Sequence, residues 1–471
     1  MEKDLADYSI KLIQDLDASY VEARLESSAV RGFVLKNGIP QISAFDTVLG
    51  IGIRFLLNGT MGFVSTNQLE KNKLKDAIER AVKVTKSASR IKEHIEFLEE
   101  ESYADKYEVK QKINLDDIDI SEKIDLFIDA DKGIRDEKGI KVLGNFLSYG
   151  EEIVKEYYIN SDGSKIEAVI PKPNFYYFTT ISANNKAMQR YWPYGGSGGY
   201  ELIKNWDVIN LLKEEVRAMK TMILKGEKVK KGYMDVVTGT QVTGIMCHES
   251  VGHPCEADRI LGREAAQAGE SFIDKDSIGM KIGSEAVTIV DDPTVEGGYG
   301  YYKYDNEGIK ARRKFLYKNG IVTEFLHNRE TSAKLGTQSN GSARASSYNR
   351  EPLVRMSNTF LLPGDYKEEE LFEDVNYGIF MKNFMEWNID DKRLNQKYTG
   401  SECYLIEKGK ITKPIYQPTL EITTPVLWKG VDAVANNLEC HAGPCGKSEP
   451  MQSLPVWLGG PSMRIRNVWI S

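Results

Sequence analysis

The chain has 471 residues, 41% of them hydrophobic and 28% charged. That is the balance of a globular protein, and at roughly 100–200 residues per domain it makes two or three cored domains. The net charge of −7 excludes the basic balance of a nucleic-acid binder and suits an anionic membrane surface no better.

No stretch approaches the roughly 18 apolar residues of a membrane span. Met1-Glu2-Lys3-Asp4-Leu5 runs into an amphipathic segment with no apolar signal region, so a cytoplasmic protein is expected. Leu5, Ile10, Leu12, Ile13 and Leu16 recur at helical spacing. Tyr20–Leu25 alternates as a strand, and Asn37-Gly38 and Asn58-Gly59 sit between apolar runs as hairpin turns. A helix follows over about Lys71 to Ser87, with Leu74, Ile78, Ala81 and Val82 on one stripe. Residues 90–118 read as an acidic, lysine-rich connector. A helix over about Glu122 to Lys138 precedes strands at 142–149, 157–160, 165–170 and 175–181. Gly195–Gly199 reads as a flexible loop, and a helix over about Trp206 to Lys225 closes the first half.

In the second half Asp235–Val237 is a short strand, and Thr238 or Thr240 is placed to cap a helix. Beyond residue 285 the pattern is mostly β, with hairpins at Asn319-Gly320 and Lys408-Gly409. The expected fold is α+β. Residues 1–226 form an N-terminal α+β region of one or two subdomains, and 227–471 a β-rich domain carrying a metal-binding helix.

The chemistry concentrates in Cys247-His248-Glu249-Ser250-Val251-Gly252-His253-Pro254-Cys255. Five cysteines make no disulfide framework, yet four lie near histidines, Cys440 and Cys445 beside His441 being the second group. In a reducing compartment this points to metal or catalysis. Neutral imidazoles bind Zn²⁺, and an adjacent Glu can take a proton from the water it activates. The usual spacing is H-E-x-x-H, but here the histidines stand at i and i+5. On a regular helix i+4 lies about 40° round from i, and i+5 about 140°. The helix must therefore end, bend or carry a π-bulge between them. Gly252 permits the distortion, and Pro254 is expected to push His253 out of helical geometry.

A catalytic zinc takes three protein ligands and keeps one position open. The residues leave the third ligand open among Glu256, Asp258, Cys403, Cys440, His441 and Cys445. Cys440 and Cys445 fall in a Gly/Pro-rich loop and are better candidates than Cys403, which alternates within a strand. His94 reads as solvated, His327 as packing, and Asp291-Asp292-Pro293 as a turn at a strand end.

His248-Glu249-Ser250-Val251-Gly252-His253 resembles the H-E-x-x-x-H of the TldD branch of the TldD/PmbA metalloprotease family. Asp291-Asp292-Pro293-Thr294, Tyr304-Asp305-Asn306-Glu307-Gly308, Arg355-Met356-Ser357-Asn358-Thr359 and Cys445-Gly446-Lys447 continue the resemblance in order. The resemblance covers nearly the whole chain. It implies an N-terminal region with a curved sheet and a β-rich C-terminal domain. It completes a His248/His253/Cys445 zinc site and makes Glu249 the general base of a zinc-dependent hydrolysis of small or unfolded peptides. It also implies a homodimer, or a heterodimer with a PmbA/TldE-like subunit that lacks the motif. Cys440 and His441 are extra potential ligands not expected from the family. Two other readings compete: a regulatory, partner-binding protein with a structural zinc, as relatives labelled modulators of DNA gyrase suggest, and a zinc amidase or deacetylase of small molecules. A structural site needs four ligands and no base, so Glu249 discriminates.

Overall fold

The computed structural model describes residues 2–90, 94–264 and 269–471. The N-terminal half is one long, mainly antiparallel sheet with two sets of helices on one face. Its strands run in the order Thr60–Thr66, Ile39–Leu57, Tyr20–Lys36, Lys141–Asn160, Lys165–Ala183. Lys186–Gly195 pairs antiparallel with Lys165–Ala183, and Ala104–Glu108 pairs parallel with it. Both Asn-Gly turns place two residues at positive φ, as hairpin turns of the right twist require (Asn37 55°, Gly38 78°; Asn58 53°, Gly59 73°).

Three expected boundaries differ. The four predicted strands between 142 and 181 are two continuous ones, because Pro171 and Pro173 sit within paired backbone instead of ending it. The connector is partly built: Ala104–Glu108 joins the sheet edge, while residues 91–93 lie outside the described residues. The Gly195–Gly199 loop is buried and pinned, Ser197 N donating to Gly297 O at 3.0 Å and Ser197 Oγ to Gly298 O at 2.9 Å. Its glycines serve close packing, since a Cβ on Gly199 would lie 2.1 Å from Ile113 O.

Alternation divides the sheet's two faces. Helices Lys3–Gln14 and Lys71–Ala88 bury Leu5, Ile13, Leu74 and Ile78 against Val21, Ala23, Leu25 and Ile53. Further along, helices Ile120–Arg135 and Val208–Lys225 cover Phe33, Leu35, Leu147 and Tyr177. The opposite face is polar yet buried, because the C-terminal half lies on it. Arg54 is 2.8 Å from Glu22 and 2.5 Å from Glu307, Arg24 Nη2 donates to the carbonyls of Ser347 and Arg350, and Tyr158 Oη donates to Glu307 O.

Glu26, 7% exposed on this face, has its carboxyl raised to about 7 by burial and by Glu156 and Glu152, against the pull of Arg24. Its proton is held in the fold and lost from the unfolded chain over the range from 4.5 to about 7, so stability falls as pH rises through that window. The loss is at most about 3 kcal/mol. Glu26→Gln should therefore raise the thermal unfolding midpoint at pH 8 and leave it unchanged at pH 5; an equal effect at both values would show that the proton is not the cause.

The C-terminal half holds a closed barrel and a second sheet. Strands Tyr377–Ile389, Gly232–Thr238, Met463–Ile470, Thr419–Thr423 and Asn395–Glu407 pair in sequence, and the last returns to the first. The second sheet has the order Ile321–Val322, Lys314–Lys318, Ile289–Asp291, Asn358–Leu361, Gln452–Gly460, Glu439–Lys447. Helix Thr240–Cys247 lies between them. No helix among the described residues is long and apolar enough to cross a membrane.

Candidate metal centre

Helix Thr240–Cys247 is buried from Gln241 onward, as its apolar sequence demands. Gly239 is its N-cap; neither threonine caps it. Thr240 Oγ1 donates to Glu439 at 2.7 Å, and the Thr238 and Thr243 hydroxyls pair at 2.8 Å. The helix then widens. His248–Gly252 is a π-helical turn, and His253 N donates to His248 O, five residues back, at 3.1 Å. The wider turn returns i+5 to the face of i, and the two imidazoles meet with centroids 4.8 Å apart. A Cβ on Gly252 would lie 1.9 Å from Met356 Sδ, so a larger residue in the turn would have to displace the Met356 side chain. Trp428 Nε1 donates to Ser250 Oγ at 2.9 Å and fixes it from the other side. Pro254 does not push His253 out as expected: His253 keeps φ −61° and ψ −44°, and the chain leaves helical geometry at Glu256. The pre-proline preference is modest, and the His253–His248 bond outweighs it.

Cys445 arrives from the second sheet. The expected loop is an outer strand paired along its length with Gln452–Gly460, where Pro444 is tolerated. Ligand atoms of His248, His253 and Cys445 all lie within 4.8 Å of one another, and all three residues are buried. Cys445 Sγ is 3.7 Å from His253 Nε2. Burial penalises the Cys445 thiolate, but His253, Arg355 and His248 outweigh it and hold the thiol well below its ordinary value. The thiolate is the ligating form. His248 Nδ1 is buried with no hydrogen-bond partner among the described residues. Two imidazoles and a stabilised thiolate at one buried point fit a borderline-soft cation.

The other candidates stand outside this group. Cys440, on the same strand, has its thiol pushed up to about 12 by burial and Glu439. His441 Nε2 meets Thr240 Oγ1 at 3.1 Å, and burial and Arg190 hold the ring down to about 3. Cys403 is buried within the barrel strand Asn395–Glu407. His327 is buried, packs as expected and meets Thr331 at 3.2 Å; His94 is exposed. Glu256 and Asp258 are supports. Glu256 Oε2 lies 3.0 Å from His253 Nδ1, 2.5 Å from Arg259 and 3.3 Å from Lys447. That contact turns Nε2 of His253 toward Cys445. Lys447 also donates to Asp258 at 2.7 Å and to Val354 O at 2.7 Å.

Glu249 points at neighbours the sequence did not reveal. Arg393 Nη1 donates to its Oε2, and Trp387 Nε1 to its Oε1 at 3.2 Å. Burial raises the carboxyl, but Arg393, His253 and His248 outweigh it and hold it below its ordinary value. Arg393 and Trp387 come from one hairpin more than a hundred residues away and carry no local motif. Arg355 opens the Arg355–Thr359 motif, which carries no sign of its role: it donates to Cys445 O and to Gln452 O. In the same motif Ser357 and Thr359 hold Asp291, which Lys314 also approaches at 3.2 Å, so Asp291 is a buried anchor.

A buried His/His/Cys cluster with a carboxylate on the adjacent residue, set between a barrel and a sheet, is the arrangement of a metallopeptidase. Three family descriptions match: PmbA/TldA metallopeptidase domain 1 over residues 21–85, the central domain over 113–222 and the C-terminal domain over 231–471. A metalloprotease of Methanocaldococcus jannaschii is 35% identical over 451 residues, covering 94% of this chain and 95% of the relative. A zinc metalloprotease TldD homolog of Saccharolobus solfataricus is 25% identical, covering 98% of each chain. The crystal structure of TldE from Thermococcus kodakarensis superposes with a TM-score of 0.77 at 16% identity, covering 100% of this chain and 99% of that one. The chain belongs to the PmbA/TldD metallopeptidase family.

Proposed function

We propose that this protein is a zinc-dependent peptidase of small or unfolded peptides, with His248, His253 and Cys445 holding the ion and Glu249 acting as general base. The observation that carries the reading is the convergence of three ligand atoms within 4.8 Å, one residue from a carboxylate kept ionised by Arg393. A zinc ion at these donors supplies Lewis acidity, polarising the scissile carbonyl and making water acidic enough to react. Glu249 takes the proton of the attacking water and passes it to the leaving amine nitrogen. Glu256 keeps His253 in one tautomer, and Arg355 steadies the backbone of Cys445. The proposal extends to assembly as a homodimer, or as a heterodimer with a TldE-like subunit.

The test is zinc content alongside cleavage of a mixed unfolded-peptide pool, with and without a TldE-like protein. Zinc-loaded protein should cleave, and chelation should stop it. Cys445→Ser should give up its zinc to a chelator that wild type resists. Full zinc occupancy in that variant would move the ligand assignment elsewhere. Zinc without cleavage, even with the added subunit, would leave a structural site.

A further inference from the structure

The sheet of the N-terminal half ends in a strand with an unguarded edge. Thr60–Thr66 pairs with Ile39–Leu57 on one side and with no strand on the other among the described residues. Exposed edges are usually protected by charges or prolines, because their free N–H and C=O groups invite another strand. The opposite margin follows that rule: Ala104–Glu108 carries Asp105, Lys106 and Glu108, and Lys186–Gly195 carries Lys186 and Pro193. Thr60–Thr66 has neither a charge nor a proline. Helix Lys71–Ala88 runs beside this edge and leaves a groove of about 490 Å³ along it, the size of a ligand cleft. Met61 and Val64 line the groove from the strand, and Ala77, Arg80, Ala81 and Val84 from the helix. Gly62 sets how closely they approach, since a Cβ there would lie 2.5 Å from Thr85 Oγ1. Val84 is 68% exposed. The helix is basic in an acidic chain: Lys71, Lys73, Lys75, Arg80, Lys83 and Lys86 stand against Asp76 and Glu79, while the chain carries −7. Of these cations only Lys75 forms an ion pair among the described residues, with Glu79 at 3.7 Å. Lys73 and Arg80 lie four residues before and three after Ala77, and so share its face.

We propose that this groove docks an extended acidic segment of a partner protein, which adds as a strand to Thr60–Thr66. A strand lying about 4.8 Å beyond the edge takes its main-chain hydrogen bonds from it and turns alternate side chains toward the helix. A glutamate turned that way lays its stem on Ala81 and Val84 and brings its carboxylate to Lys73 or Arg80. Charge therefore selects the segment, and the open backbone selects its extended form. The segment is held and not cut. Helix Lys71–Ala88 covers the face of the sheet that buries Ile53, whereas Tyr348 and Glu307 of the C-terminal half meet Gly52 and Arg54 on the other face. The metal cluster belongs to that C-terminal half, across the sheet from the groove. The docking stands whether or not the peptidase reading does.

The probe is a fluorescein-labelled ten-residue peptide alternating threonine with glutamate, followed by anisotropy on the full-length protein with and without a zinc chelator. It should bind equally in both, and about 10-fold or more tighter than the threonine–lysine peptide of the same length. The threonine–glutamate peptide with an N-methylated backbone keeps the charges and cannot pair as a strand, so it should not bind. Arg80→Glu combined with Val84→Glu should erase the preference for glutamate; both side chains are exposed, and an unchanged thermal midpoint verifies the fold. Hydrogen exchange read by mass spectrometry should show the amides of Thr60–Thr66 slowed by the peptide. Equal affinity for glutamate and lysine peptides overturns the proposal, as does binding of the N-methylated peptide. A preference that survives the double variant, or an edge left unprotected, places the peptide elsewhere and also overturns it. Binding that the chelator abolishes would put the peptide on the metal centre. Self-association of wild type that the double variant removes would give the groove to a second copy of this chain, and either result ends the proposal.

Discussion

Glu249→Gln should keep one equivalent of zinc and lose peptide hydrolysis by about 10²–10⁴-fold, the usual contribution of a positioned general base. The substitution conserves volume and leaves His248, His253 and Cys445 untouched. Arg393 and Trp387 both donate to the carboxylate, so the amide nitrogen of Gln must face one of them, a local mismatch at residues other than the three ligands. Zinc content and the thermal midpoint, measured beside activity, separate loss of the base from loss of the site. Wild-type turnover in Glu249→Gln would end the general-base assignment and favour a structural zinc. The ordinary value of the Glu249 carboxyl is 4.5, and its neighbours hold it lower still, so the carboxylate stays ionised through neutral pH. Activity limited by Glu249 would fall only as pH drops below that value.

Local signals were strong wherever one stretch of chain decides its own geometry. The hairpin turns at Asn37-Gly38, Asn58-Gly59, Asn319-Gly320 and Lys408-Gly409 all carry paired positive φ values, a backbone that Gly and Asn accept most readily. The i+5 histidine spacing required a distortion, and the π-helical turn at His248–Gly252 supplies it. What failed locally was set by distant partners. Cys440–Ser448 looked like a loop because Gly443, Pro444 and Gly446 depress strand propensity, yet pairing with Gln452–Gly460 makes most of it a strand. Gly195–Gly199 looked mobile by composition and is buried against Tyr299 and Ile113. Tyr20–Leu25 alternated as a half-solvated strand should, but its polar face is buried under Glu307, Ser347 and Arg350 of the second half. The metal cluster itself joins residues nearly two hundred positions apart. Spacing alone left six candidates for its third member, and only Cys445 shares a point with the two imidazoles. Arg393 and Trp387 had no signal, since a hairpin turn selects them by where it folds.

Glu256→Gln should weaken both zinc binding and the fold. Glu256 is fully buried, and its Oε2 meets His253 Nδ1, Arg259 and Lys447. Burial raises its carboxyl, but Lys447, Arg259 and His253 overwhelm that and hold it well below its ordinary value, so the group acts as a fixed negative charge. Gln keeps the shape and one acceptor but removes the charge, leaving Asp258 as the carboxylate on Lys447. Disrupting one partner of a buried ion cluster costs about 3–5 kcal/mol. Removing the carboxylate behind a metal-binding imidazole lowers zinc affinity by about 10–100-fold, because the ring loses its fixed tautomer and some basicity. The two effects are measured apart: denaturant unfolding of the metal-free protein gives the first, and chelator competition on folded protein gives the second. Lower stability with unchanged zinc affinity would make Glu256 an anchor for Arg259 and Lys447 alone. Lower affinity with unchanged stability would show that Asp258 suffices for the cations and that Glu256 is there for His253.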